Sequence, residues 1–427
     1  MKPIPVENVE IKIYRLLESG RLTVDKAIEL MDEDILSETG RYLKKGHTVN
    51  TVPVECTEKE KLYRNRILVA AGIMMYYGLP ACMETYDSLI EKEEAELINH
   101  VELCRSYCEN LIRKKNHRYL VNLTALDSGY YDIKNGHPSL KESFRYEQPE
   151  VAEALRFIQG HGLFRKLVRR KPSLHTPSQP FYTYTGRCQY SHDPIWDGPL
   201  LALSRRYRTI IDKKADIRVV DVKAEEIGIA GALSGDTNLI NDYSSGEDVY
   251  DNFITNSGLD ITRDTAKVIL LGFTKGMTPY GIALRSGISL ERATELVGIL
   301  RSRYDLYNKW ALKEAGCLYK EGSEVPYAVR DNIIRTPLGF TNASVVTTRD
   351  HNERLNSAKS FRVQAYGSIL LYRVLTEAIR EGIVINGTLH DSIYVTGAKQ
   401  AEAVQKMFHR YSEQIFGIPL KTTLKNF

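Results

Sequence analysis

Long apolar runs are missing from this 427-residue sequence. None reaches membrane-spanning length, and the first residues have the build of neither a secretory signal nor a transit peptide. A membrane protein is excluded on this reading, and a cytosolic setting is expected. Cysteine is scarce: Cys56, Cys82, Cys104, Cys108, Cys188 and Cys317 show no paired metal-ligand spacing. That excludes a zinc module built on cysteine pairs. Cys104 and Cys108, four apart in a helical pattern, read as buried or free thiols of a reducing compartment. An excess of charge of one sign is lacking too. The 58 Lys and Arg against 54 Asp and Glu leave a net charge of +4, too little to imply a nucleic-acid partner from composition. Such a partner would have to meet local basic runs, and these occur at Arg165-Lys166, Arg169-Arg170-Lys171, Arg205-Arg206-Tyr-Arg208 and Lys213-Lys214. Hydrophobic content of 43% and charged content of 26% describe an ordinary globular chain, long enough for two or three packed subdomains.

Three stretches stand out against this background. The first runs from Arg218 through Val219-Val220 to a carboxylate at Asp221, then changes period. Ile227, Ala230, Gly231 and Ser234 recur at helical spacing and Gly235 ends the turn. A carboxylate at a strand end can hold a metal because the sheet fixes its backbone; a strand-turn-helix with a solvated Asp reads equally well from this stretch alone. In the second, Arg263, Lys267, Leu271 and Lys275 step by four and form one helical stripe. Three cations on one face repel unless an anion such as a triphosphate lies along them, although a solvated basic face has the same pattern. The third, Leu389-His390-Asp391-Ser392-Ile-Tyr-Val395, is a β-rich run with an acidic centre.

Together the three resemble motifs A, B and C of the family A DNA polymerases, the bacterial DNA polymerase I type. Asp221, Glu226 and Leu233-Ser-Gly-Asp236 keep the spacing of motif A. Arg263, Lys267, Gly272, Gly276 and Met277 keep that of motif B, and His390-Asp391-Ser392 stands at motif C. Residues 180 to 427 carry the resemblance. It implies an α+β, right-hand polymerase fold with an antiparallel-sheet palm, helical fingers and a helical thumb. The divisions expected are an N-terminal helical segment of unknown role (1–70), a thumb-like helical region (71–180), palm with motif A (181–245), fingers with motif B (246–325) and palm with motif C (326–427).

The resemblance also assigns expected roles. Asp221, Asp391 and the carbonyl of Val222 would hold two Mg²⁺ ions about 4 Å apart, with Mn²⁺ able to substitute. Arg263 and Lys267 would bind the triphosphate of a dNTP, and Lys267 would also protonate the leaving pyrophosphate. Leu271 and Lys275 take the positions of the aromatic residue against the incoming sugar and of the tyrosine guarding the template base. Lys275 can reach a phosphate or a base edge instead of stacking. Glu226 would pack under the sugar and Tyr250 would contact the nucleotide. Arg187 (in Thr185-Gly-Arg187), Gln364 and His390 would face the primer-template DNA. No membrane partner is implied.

Other local signals bear on organisation. Thr23 reads as a helix N-cap and Pro149 as a first helical position before Glu150 to Arg170. Residues 1 to about 70 read as a docking element or the start of a thumb. Tyr63 to Lys114 is strongly helical, broken by a Gly78-Leu-Pro turn; Ile288 to Trp310 is a charged helical run, Val363-Gln364 opens a helix, and Ile418 to Lys421 resembles the closing strand. Asn386-Gly387 is a local hairpin signal, whereas the resemblance puts the turn at His390-Asp391, where the carboxylate can face Asp221. The resemblance is followed here.

Several departures matter. The motif C glutamate is Ser392, as in the single-subunit phage RNA polymerases, and Asp193-Pro194 lies one residue further from Arg187 than the pattern. No proofreading-type acidic cluster is read upstream, so an exonuclease is not expected. The reading is a template-directed DNA polymerase. An RNA polymerase or primase-like enzyme, and a polymerase fold serving only to bind, stand beside it; the intact Asp221, Asp391, Arg263 and Lys267 argue against the last.

Overall fold

The computed structural model describes residues 9–33, 57–115, 118–134, 137–167, 173–174, 180, 185–188, 205–246, 248–314, 316–318, 328–329, 335–338 and 351–427. Helix α1 (Val9–Glu18) repeats Val9, Ile13 and Leu17 at helical spacing and buries all three. Helix α2 (Val24–Leu30) starts at Thr23, whose hydroxyl accepts the Lys26 N–H at 3.3 Å. Both dock on α3 (Glu58–Tyr77), which opens with a capping box between Thr57 and Glu60. The approach of α1 to α3 demands a glycine at position 72, where a Cβ would stand 2.7 Å from the Glu10 carbonyl. The division expected at 70 therefore falls inside one helix, whose residues 67–74 join the main core.

The strand pair β1 (Leu79–Pro80) leads into α4 (Met83–Tyr107), a long helix after the Gly78 turn as the sequence suggests. Beyond it the continuous helix expected to Lys114 gives way to strands. Two hairpins, β2 (Ile112–Lys115) with β3 (Arg118–Val121) and β4 (Tyr131–Lys134) with β5 (His137–Leu140), precede α5 (Glu142–Glu147) and α6 (Pro149–Leu167). Helices α4 and α6 with these hairpins enclose a core of their own around Phe144, Leu155 and Phe157. Strand β6 (Ser173–Leu174) pairs with β1.

The central sheet is four-stranded and antiparallel, in the order β10-β11-β7-β12: β7 (Ile217–Val222), β10 (Ile385–Leu389), β11 (Ser392–Thr396) and β12 (Thr422–Asn426). Its turn falls at His390-Asp391. Asn386-Gly387 lies within β10, where the Asn386 amide donates to the Gly78 carbonyl at 2.8 Å and its oxygen accepts the Thr396 hydroxyl at 2.9 Å. Long-range partners have overridden the local turn signal. The closing strand begins at Thr422, just after the Ile418–Lys421 segment expected to form it.

Between β7 and β10 the elements among the described residues are helices apart from a short pair, β8 (Cys317–Leu318) with β9 (Ala328–Val329): α7 (Glu225–Ser234), α8 (Thr237–Ser244), α9 (Val249–Ser257), α10 (Arg263–Thr274), α11 (Pro279–Ser286), α12 (Leu290–Arg303), α13 (Asp305–Glu314) and α14 (His351–Arg380). The run expected over 288–310 is thus two helices, broken at Tyr304. Helix α14 starts at His351, so Gln364 sits in its middle and not at its opening. Helix α15 (Ala398–Phe416) packs beside α14 and under β7. Among the described residues no helix is long and apolar enough to cross a membrane. Cys82, Cys104, Cys108 and Cys188 form no disulfide. Residues 34–56, the Asp193-Pro194 loop and the remainder of the 189–204 stretch lie outside the described residues.

Candidate active site

The sheet brings two aspartates to one edge. Ser392 stands opposite Asp221 in the β7–β11 register, and the Val222 N–H donates to the Asp391 carbonyl at 3.2 Å. The reversal between β10 and β11 needs a left-handed residue, and His390 supplies it at φ 54°, at a cost of roughly 1 kcal/mol relative to glycine. Asp221 is held from both neighbouring strands. The Ser392 hydroxyl donates to Oδ1 and the Lys425 ammonium on β12 lies 3.4 Å from Oδ2. Burial, and then the Asp221 charge, push Asp391 up to about 6.

A third carboxylate sits behind them. Helix α7 follows Ala224, itself left-handed at φ 43°, and is apolar on every side. Such a helix buries most of its surface, and Glu225 in its first turn is 6% exposed. Gly367 on α14 makes the room, since a Cβ there would lie 2.6 Å from Glu225 Oε2. Burial first, then Asp391, raises Glu225 from 4.5 to about 8. A carboxyl raised on folding binds protons more tightly than in the unfolded chain, so stability falls as pH climbs through that interval. Metal-free protein is therefore expected to melt at lower temperature at pH 8 than at pH 6. Glu225→Gln should flatten this decline and melt above wild type at pH 8. An unchanged slope in the variant would place the titrating group elsewhere.

Arg187 is strapped to the same helix. Ser368 and Tyr372, one turn apart on α14, donate to the carbonyls of Thr185 at 2.9 Å and Gly186 at 2.6 Å. The Arg187 guanidinium then reaches Glu226 Oε1 at 3.2 Å and Glu225 Oε2 at 3.8 Å. Arg187, Glu225, Gly367, Ser368 and His390 share the wall of one small cleft. Half-buried Gln364 lies one turn before Ser368. His390 is shifted towards its neutral form by burial and by Arg187.

The helix α10 carries the basic stripe as read. Thr262 caps it, and Arg263, Lys267 and Lys275 are exposed while Leu271 is half-buried against the main core. Arg263 donates to Asp248 at 2.5 Å and lies 5.3 Å over the Tyr250 ring. Tyr250, 6% exposed, is raised to about 12 by burial and by Asp248. Lys275 closes the helix, and its ammonium contacts Glu226 Oε2 at 2.9 Å. The sequence had suggested a phosphate or base edge for this residue; within the chain its partner is a carboxylate. Two groupings result. One gathers Asp221, Asp391, Glu225, Glu226, Arg187, His390 and Lys275; the other gathers Arg263, Tyr250 and Asp248, with Lys267 one turn along. Among the described residues no group of three His, Cys, Asp or Glu has the arrangement of a metal site. The donors that the motif resemblance assigns are the Asp221 and Asp391 carboxylates and the Val222 carbonyl.

No family model matches the sequence. DNA polymerase I of Mycobacterium bovis and that of Mycobacterium tuberculosis are each 25% identical to it over 198 residues, 44% of this chain. The chain spans 21% of the length of these curated relatives. Among solved structures, the POL domain of Pol1 from M. smegmatis, in complex with DNA primer-template and dNTP, superposes with a TM-score of 0.64 at 15% identity, covering 84% of this chain and 68% of that one. The fold is the polymerase-domain fold of the DNA polymerase I type. In sequence and in fold the chain is thus similar to DNA polymerase I, with an antiparallel central sheet and helical flanks as expected.

On this polymerase fold, three groups at the site escaped the sequence reading. Glu225 drew no role from the motif spacing, which points to Glu226. The all-apolar helix that it opens was the available signal, because no exposed face is left for it. Lys425 and Asp248 gave no such signal: their roles depend on strand register and on the approach of α9 to α10.

Proposed function

We propose that the chain is a template-directed DNA polymerase that adds dNMPs to the 3′-hydroxyl of a primer on primer-template DNA. The observation that carries this reading is that β7 and the β10–β11 turn bring Asp221 and Asp391 together beside α7, on which α10 with its exposed Arg263 and Lys267 packs. Phosphoryl transfer asks a protein mainly for positioning and charge neutralisation. The donor set fits Mg²⁺, with Mn²⁺ as substitute: it is all oxygen, and the burial and Asp221 repulsion that lift Asp391 are both offset by a divalent cation. Asp221, Asp391 and the Val222 carbonyl would hold it. Two such ions, when bound, activate the primer hydroxyl and stabilise the leaving pyrophosphate.

The remaining roles belong to this chain's own side chains. Arg263, fixed by Asp248 and stacked on Tyr250, presents its guanidinium to the triphosphate. Lys267, one turn further, neutralises charge on the same group and gives a proton to pyrophosphate. Leu271 offers an apolar surface to the sugar and Glu226 lies under it. Arg187, Gln364 and His390, gathered about α14, face the terminal base pair. In this reading α4 and α6 with their hairpins form the thumb, α9 to α13 the fingers, and the central sheet with α7, α8, α14 and α15 the palm. The setting is cytosolic, which suits thiols without disulfides.

Ser392 at the sheet edge favours one rival, a single-subunit RNA polymerase or primase-like enzyme. Primer extension with each nucleotide class tests both. Template-directed extension with dNTPs and divalent cation is expected. Preference for ribonucleotides would put the rival in its place, and no extension with either class would leave only a binding role.

A further inference from the structure

Glu226 has an unusual set of partners for a carboxylate meant to lie against a sugar. Its side chain is 15% exposed, and each of its oxygens faces a different cation. Arg187 donates to Oε1 at 3.2 Å, and Lys275 stands 2.9 Å from Oε2. The two cations come from separate parts of the chain. Arg187 is tied to α14 through the Thr185 and Gly186 carbonyls. Lys275 caps α10 just after Thr274, with its N–H on the Leu271 carbonyl at 3.1 Å, before the chain turns through left-handed Gly276 at φ 74°.

A carboxylate held at one oxygen can still swing about its last torsion, which is soft. Held at both, it keeps one position. Resting on the assignment of Glu226 to the sugar pocket, we propose that Lys275 is a specificity-determining residue: it fixes Glu226 from the α10 side, so that exclusion of the 2′-hydroxyl depends on an ion pair between α10 and α7. An approaching 2′-hydroxyl then meets a carboxylate that cannot rotate aside. Nor can that carboxylate turn to accept the hydroxyl without giving up a cation. Lys275 acts through Glu226 and is a positioning residue. Because Lys275 is 44% exposed, its hold is that of a partly solvated pair, and its loss should cost selectivity by a modest factor.

The test is the ratio of kcat/KM for dNTP over the matching NTP, measured by primer extension with the full chain. Glu226→Ala is expected to lower that ratio at least about tenfold. Lys275→Met, which keeps length and removes charge, should lower it about threefold or more, and Lys275→Arg should restore most of it. In the Glu226→Ala background Lys275→Met should add nothing, because the group that it positions is gone. A ratio unchanged by Lys275→Met, or lowered equally in both backgrounds, would overturn the role of Lys275 while leaving Glu226 as the gate. A ratio unchanged by Glu226→Ala would remove the gate itself, and the role of Lys275 with it. The ratio is insensitive to a general loss of folded protein, which scales both nucleotides alike.

Discussion

Replacing Asp221 or Asp391 by alanine is expected to abolish primer extension while leaving primer-template binding intact. Asp221 is on β7 and Asp391 in the β10–β11 turn, which the Val222 N–H to Asp391 carbonyl bond joins at 3.2 Å. Losing either removes both a ligand and half of the negative charge that would compensate bound cations. Neither change should disturb the fold much. Asp391 is at a turn, and Asp221 is partly exposed with Ser392 and Lys425 as its neighbours. Extension assays report the first effect and fluorescence anisotropy with labelled primer-template the second. Activity within about tenfold of wild type, roughly 1.4 kcal/mol of barrier, would overturn the assignment of that aspartate.

The largest structural effect is expected from Asp242→Ala on α8. Asp242 is fully buried and receives four donor atoms from three residues, Asn256, Arg303 and Tyr304. Arg303 donates through Nε at 2.9 Å and Nη2 at 2.7 Å, Tyr304 through its hydroxyl at 2.6 Å, and Asn256 through its amide at 2.5 Å. The carboxylate thereby ties α8, α9 and the α12–α13 junction together. Removing it leaves a guanidinium without its counter-charge and a buried hydroxyl and amide without an acceptor. Deleting one partner of a buried pair costs about 3–5 kcal/mol. Thermal unfolding should therefore start several degrees lower, and Asp242→Asn, which keeps an acceptor, should lose less. A cost below about 1 kcal/mol would mean that the network is not the tie it looks to be.

How much of this was legible in the sequence depended on whether the signal was local. The change of period after Asp221 placed β7 and α7 correctly, because strand and helix repeats differ along a few residues. Gly235 stops α7 in a left-handed conformation at φ 68°, and Thr23, Pro149 and the Gly78 turn behaved as local chemistry dictates. Failures came where distant contacts decide. Asn386-Gly387 is a turn signal in isolation, but Asn386 finds partners on Gly78 and Thr396 and stays in a strand. The helical pattern runs on to Lys114, yet from Ile112 the chain pairs with itself as a hairpin whose Ile112 and Val121 pack with the α4–α6 core. Gln364 seemed to start a helix because residues 351–360 are polar and hide the periodicity. The partnership of Lys275 with Glu226 was invisible for the same reason: nothing local joins positions 49 apart that meet only when α10 reaches α7.

The position of β7 in the sheet sets an order of events in folding. Its two neighbours come from far along the chain: Ser392 meets Asp221 across 171 residues, and Thr423 meets it across 202. Closing loops of that length carries a large entropic penalty before any ladder bond offsets it, and such distant pairings slow folding. Helices α8 to α12 rely on nearer partners and can form while β7 still lacks both neighbours. A refolding chain should regain most of its far-ultraviolet helical signal early and its polymerising capacity late. The two aspartates are then among the last residues to find each other, and the interval between the two signals measures how long the chain is folded in outline but chemically silent.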